Sequence, residues 1–165
     1  MEMEEKNLNL KYTDIRVTFA EIPDEISLCI NISNCPCLCK NCHSSYLAKD
    51  IGIILTTAEV EKLINISNGI SCIAFMGGDS SPATVNILAK YVKEKYSKLK
   101  VAWYSGRQEL SKNIDLQNFN FIKLGPYNED LGPLDSKTTN QRYYEVKKNE
   151  LGNYYLEDNT YKFWR

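Results

Sequence analysis

The sequence predicts an α/β chain folded as an open, partial (β/α) barrel with mostly parallel strands and a C-terminal β-hairpin tail. Three observations carry this expectation. Short apolar runs of strand length alternate with stretches whose apolar residues recur at helical spacing, the pattern of right-handed βαβ crossovers. Only four or five such runs precede the tail, too few to close an eight-unit barrel. The tail itself is rich in tyrosine and reads as two strands about a turn.

Taken in order, residues 26–32 form the first apolar run, and a cysteine-rich loop follows it directly. Thr56 and Glu59 have the spacing of a capping box, and Val60, Leu63 and Ile64 then mark a helical face. Residues 70–76 read as a buried strand ending in Gly77-Gly78-Asp79. Ser81 is placed to cap a helix whose first position is Pro82, where the missing N–H costs nothing. Val85, Leu88, Ala89, Val92 and Tyr96 give that helix its apolar face, and its lysines 93 and 95, with Lys98 and Lys100 beyond, read as a solvated end. Residues 100–104 and 119–124 are further strands, ending in Ser105-Gly106-Arg107 and Gly125-Pro126. Residues 143–147 and 153–157 complete the expected hairpin. In a parallel sheet all strand-to-helix loops emerge at one edge, where α/β proteins bind their ligands. Loops spread from Cys35 to Pro126 are therefore expected to line one pocket.

The chain has 165 residues, 43% hydrophobic and 25% charged, a globular composition expected to form a single domain over 1–165. Twenty basic residues against 21 acidic ones argue against a whole-surface grip on nucleic acid or anionic lipid. No run reaches the roughly 18 apolar residues that span a bilayer, and the polar N-terminus is unlike a secretory signal. A cytoplasmic location follows as the expectation, and there thiols stay reduced.

Six cysteines are then informative. Cys29 and Cys72 lie inside apolar runs and read as small buried hydrophobes. Cys35, Cys37, Cys39 and Cys42 crowd into eight residues, which points to metal or redox chemistry. Cys35, Cys39 and Cys42 have the spacing C-x3-C-x2-C. Three thiolates on one loop hold three irons of a cubane cluster and leave the fourth iron open. Cys37, inside the gap, is read as a non-ligand. A zinc site using four of the loop's Cys and His side chains is a second reading, although zinc ligands usually come as two knuckles far apart. A plain electron-transfer cluster is a third, with Cys72 the one downstream candidate for a fourth ligand. Cys39 to His43 formally matches a haem-attachment pattern, but that chemistry needs export.

At the triplet the sequence resembles the radical S-adenosylmethionine superfamily, and the resemblance extends over roughly residues 14 to 145. Gly77-Gly78-Asp79 is similar to the family's Gly-Gly-acid motif, Trp103 to Arg107 to its aromatic–Tyr–Thr–Gly stretch, and Thr138 to Arg142 to a Ser-Ser-Asn-Gln element. The last resembles one branch, the small activating proteins of the anaerobic ribonucleoside-triphosphate reductase. The family's Asn-Gly-Pro-Gly-like turn is replaced by Ala20 to Glu25. The resemblance implies an anaerobic oxidoreductase that activates a glycyl radical enzyme. Its metal centre would be a [4Fe–4S] cluster on Cys35, Cys39 and Cys42. S-adenosylmethionine would be held near Asn41, Cys42, His43, Gly77, Gly78, Asp79 and Ser105. No catalytic side chain is implied beyond the cluster and cofactor. Reductive cleavage would give a 5′-deoxyadenosyl radical that takes hydrogen from a glycine of the reductase, with reduced flavodoxin or ferredoxin as electron donor. Another glycyl radical enzyme as target, or a non-catalytic iron–sulfur or zinc module, are the alternatives.

Overall fold

The computed structural model describes residues 10–37, 39 and 45–164. One sheet of eight strands runs through them in the order β3-β1-β2-β4-β5-β6-β7-β8. The strands are β1 (Lys11–Thr18), β2 (Ser27–Ile32), β3 (Ile53–Ile54), β4 (Cys72–Met76), β5 (Lys100–Tyr104), β6 (Phe121–Leu124), β7 (Arg142–Lys148) and β8 (Tyr154–Asp158). Among the described residues there are two α-helices, α1 (Thr57–Asn65) and α2 (Pro82–Lys95). No helix among them is long and apolar enough to cross a membrane.

This architecture corrects the expected open (β/α) barrel with mostly parallel strands. Four of the seven strand pairings are antiparallel, β1 with β2 and β3, β6 with β7, and β7 with β8. Only β2-β4, β4-β5 and β5-β6 are parallel. The physical reasons lie at three places. β1 pairs antiparallel to β2 on the far side from the helical crossovers. The connection between β5 and β6 is polar and forms a 3-10 turn, Leu116–Asn118, instead of a crossover α-helix. The hairpin is no separate tail, because β7 hydrogen-bonds along β6 from Arg142–Leu124 to Glu145–Phe121 and so extends the sheet.

Local chemistry sets the two helices. The Thr56 hydroxyl accepts from the Glu59 N–H at 3.1 Å and starts α1. Pro82 opens α2, while the Ser81 hydroxyl bonds the Thr84 hydroxyl at 2.8 Å instead of capping the backbone. Both helices pack on one face of the sheet, where Val60, Leu63, Val85, Leu88 and Val92 meet Leu28, Ile30, Ile73, Phe75, Val101, Trp103 and Ile122. The alternate residues of the strands face the other way. There Cys29, Cys72, Ala74, Ala102, Phe121 and Tyr143 are covered by Ile22, which is fully buried. Burial on both faces explains why 27–32 and 72–76 read as continuous apolar runs. Cys29 and Cys72 are the buried small residues the sequence suggested, and burial pushes each thiol up to about 12.

Phe75 is fully buried beneath the helices. Phe75→Ala should cost about 3–5 kcal/mol in a chemical denaturation series. Leu151→Ala, at a hairpin position 87% exposed, should move the midpoint by less than about 0.5 kcal/mol.

Candidate functional site

The parallel strands β2, β4, β5 and β6 all end at one edge. Asn31, Met76, Tyr104 and Lys123 are register partners across them, one row of residues on the face away from the helices. All four line a cavity of about 170 Å³. Above that row the cavity is bounded by Cys35, Cys37 and Cys39 after β2, Gly77 and Asp79 after β4, and Ser105 and Gly106 after β5. Gly125, Tyr127 and Gln141 close it beyond β6. Loops remote in sequence thus meet in one cavity even though the sheet is mixed.

The cysteine segment is fastened at its base. Asn34 takes a positive φ of 59°, and the N–H groups of Asn34 and Cys35 donate to the carbonyls of Lys49 and Leu47 at 2.9 and 2.8 Å. Asp79 ties this segment to the loop after β5. Its Oδ1 accepts from the Ser105 hydroxyl at 2.5 Å, and its Oδ2 accepts from the Gly106 N–H at 2.8 Å and from the Cys37 thiol at 3.5 Å. Asp79 is 7% exposed and Ser105 1%. Burial, the Asp79 charge and Cys35 push the Cys37 thiol up to about 12, so it stays protonated at neutral pH in the metal-free chain.

Two glycines let these loops approach. Gly77 has a φ of 106°, and a Cβ there would lie 3.1 Å from the Ile32 carbonyl oxygen. A Cβ on Gly106 would lie 2.8 Å from the Cys37 sulfur. Gly78 is different. It has a φ of 96° and does not line the cavity, and a Cβ on it would meet Val85 of α2 at 2.5 Å. Its part is to bring the turn down onto the helix. The Gly77 carbonyl accepts from the Trp103 indole N–H at 2.7 Å, which locks that turn to β5.

Asn41, Cys42 and His43 lie outside the described residues. Among the described residues no group of three His, Cys, Asp or Glu side chains is placed to hold a metal ion. The donor chemistry suits a thiophilic metal, an iron–sulfur cluster or zinc. Cys35 and Cys39 are unbridged thiols lining the same cavity as the backbone of Gly77 and Gly106. Asn140 and Gln141 lie just before β7, and Gln141 lines the cavity. The Asn140 amide donates to the Pro126 carbonyl at 3.2 Å, and Gln141 is buried at the lip.

Of the cavity's lower row, sequence reasoning singled out Tyr104 alone, inside the Trp103 to Arg107 stretch, and missed the rest. Lys123 is the informative case, since a lysine within the apolar run of β6 is itself a signal. It is 8% exposed, and its ammonium donates to the carbonyls of Gly125 at 2.8 Å and Ser105 at 3.3 Å. Tyr104 donates its hydroxyl to the Glu21 carbonyl at 2.5 Å and closes the cavity on that side. No family model, curated protein or solved structure matches the chain. Its functional reading rests on residues and geometry.

Gly106→Ala should destabilise the chain by about 1–3 kcal/mol through overpacking against Cys37. Adding Cys37→Ala, which removes the sulfur at 2.8 Å and leaves the Cβ at 3.1 Å, should recover part of that loss. Thermal melts of the two single variants and the double variant read the coupling, and strict additivity would show that the two loops do not press on each other.

Proposed function

We propose that the chain is a radical S-adenosylmethionine enzyme that activates a glycyl radical enzyme, the anaerobic ribonucleoside-triphosphate reductase. The observation that carries this reading is that Cys35 and Cys39 share one cavity with Gly77, Asp79 and Ser105. Cysteines of a C-x3-C-x2-C triplet and a glycine–acid turn from the next parallel strand are the residues such a site needs side by side. Cys35, Cys39 and Cys42 would hold a [4Fe–4S] cluster, and the Gly77 to Asp79 turn would help to hold S-adenosylmethionine. When bound, the cluster and S-adenosylmethionine supply the one-electron chemistry, reductive C–S cleavage and hydrogen abstraction from a glycine α-carbon.

The chain's own residues do the positioning. Gly77 offers backbone at close range because it carries no Cβ. The Asp79 carboxylate adds negative charge where the cofactor's ammonium group would lie, while its bonds to Ser105 and Gly106 keep it oriented. Cys37, whose thiol bonds Asp79, lies inside the C-x3-C-x2-C spacing and is not counted among the ligands. Asn31, Met76, Tyr104 and Lys123 form the lower wall, which keeps bulk water from reaching the site through the sheet. This reading places the protein in the reducing cytoplasm, with a reduced flavodoxin or ferredoxin as electron donor.

Anaerobic reconstitution tests the reading. The parent should take up about four irons per chain, and Cys35→Ser, Cys39→Ser and Cys42→Ser should each lose most of them. Cys37→Ser should retain the parent's iron. S-adenosylmethionine should alter the electron paramagnetic resonance of the reduced cluster, and mixing with the reductase should give a glycine-centred doublet. A cluster whose spectrum ignores S-adenosylmethionine would instead indicate a non-catalytic iron–sulfur module. Equal iron loss from Cys37→Ser and Cys39→Ser would overturn the ligand set.

A further inference from the structure

A second concavity lies on the face of the sheet away from the helices. It is a groove of about 510 Å³ between the 19–23 turn, residues 133–135 and the C-terminal 162–164 segment. Its apolar lining includes Phe19, Pro23, Leu134, Phe163 and Trp164. Phe19 is 84% exposed and Trp164 37%, so two large aromatic rings stand at the rim with most of one and much of the other in water.

Among the described residues the groove's free charge is negative. Glu21 and Asp135 line it from two different segments, and neither carboxylate enters an ion pair among the described residues. The one cation among the described lining residues, Lys162, is engaged with Glu145 at 2.8 Å. Two free carboxylates beside exposed ring faces favour a cation, which gains from both. The groove also adjoins the cysteine-lined cavity. Tyr104 forms part of that cavity's wall, and its hydroxyl is bonded to the backbone of Glu21, which lines the groove.

We propose that this groove seats an extended segment of the protein substrate carrying a basic side chain flanked by apolar ones. The proposal rests on the function proposed above and adds where, and by what chemistry, the substrate docks. Apolar side chains of the segment cover Phe19 and Trp164, and its cation lies between Glu21 and Asp135. The stretch that follows the anchor then passes the Tyr104 side of the cavity. Ala20, Glu21 and Pro23, from the stretch where the family's glycine-containing turn is absent, become the wall that meets the partner.

The test uses the cluster-loaded full chain and the purified anaerobic reductase, with affinity measured by anaerobic calorimetry. Phe19→Ala and Trp164→Ala should each weaken binding by roughly tenfold or more, as expected of aromatic anchors. Glu21→Gln combined with Asp135→Asn should flatten the salt dependence of binding. All variants should keep the parent's iron content, melting temperature and methionine release with dithionite in the absence of reductase. Parent-like affinity in both aromatic variants overturns the docking site alone. A parent that cleaves S-adenosylmethionine but does not bind the reductase overturns the docking site and the partner together. Self-association of the parent that Phe19→Ala abolishes would assign the groove to a second copy of the chain and overturn the proposal.

Discussion

Asp79 sits where three loops meet, and its two oxygens take a hydroxyl, a backbone N–H and a thiol from residues 26, 27 and 42 positions away. A carboxylate at 7% exposure is costly unless its lone pairs are filled. Here the donors come from the cysteine segment after β2 and the turn after β5, while Asp79 itself follows β4. Charge-assisted bonds of this kind are stronger than neutral ones, so the carboxylate fixes the spacing of the loops as well as satisfying itself. Around that centre, the close approach of Gly106 to Cys37 leaves no room for a side chain.

The sheet that presents these loops has two very different faces. Toward the helices it offers Leu28, Ile30, Ile73, Phe75, Val101 and Trp103, bulky residues that bury a large core. Toward the other side the same strands offer Cys29, Cys72, Ala74 and Ala102, all small. That smallness has a structural counterpart in Ile22, which comes from the turn before β2 and is fully buried against them. A turn pinned by one side chain closes the lower part of this face without a helix.

Much of this was legible in the sequence, and the part that was not has physical causes. β2, β4 and β5 were readable because burial on both faces leaves unbroken apolar runs, and α1 because Thr56 and Glu59 announce its cap. The convergence of the loops after Cys35, Gly77, Ser105 and Gly125 needed only that β2, β4, β5 and β6 run parallel. β1 escaped notice because a register shift between Tyr12 and Asp14 breaks its alternation, and only Tyr12 of its residues is buried. The antiparallel share was underestimated for a related reason. Periodicity identifies a strand without giving the direction of its neighbour. Gly78 shows a finer limit. Its neighbours Gly77 and Asp79 line the cavity, while Gly78 abuts Val85, and a motif read as a unit cannot reveal which of its residues turns away.

The row Asn31, Met76, Tyr104 and Lys123 decides how the site can be reached. Below it the next row contains Cys29, Ala74, Ala102 and Phe121, which Ile22 covers, so no ligand enters through the sheet's lower half. Beside it the Tyr104 hydroxyl is fixed to the Glu21 carbonyl, which closes the wall toward the aromatic groove. Access to the cysteines is left to the strand-end loops. Under the proposed function a small cofactor would meet the Gly77 to Asp79 turn from that side. A protein substrate would, under the same reading, also have to bring its backbone to this edge, and the groove next door would anchor it there. The Tyr104–Glu21 contact therefore separates the two concavities while holding them adjacent.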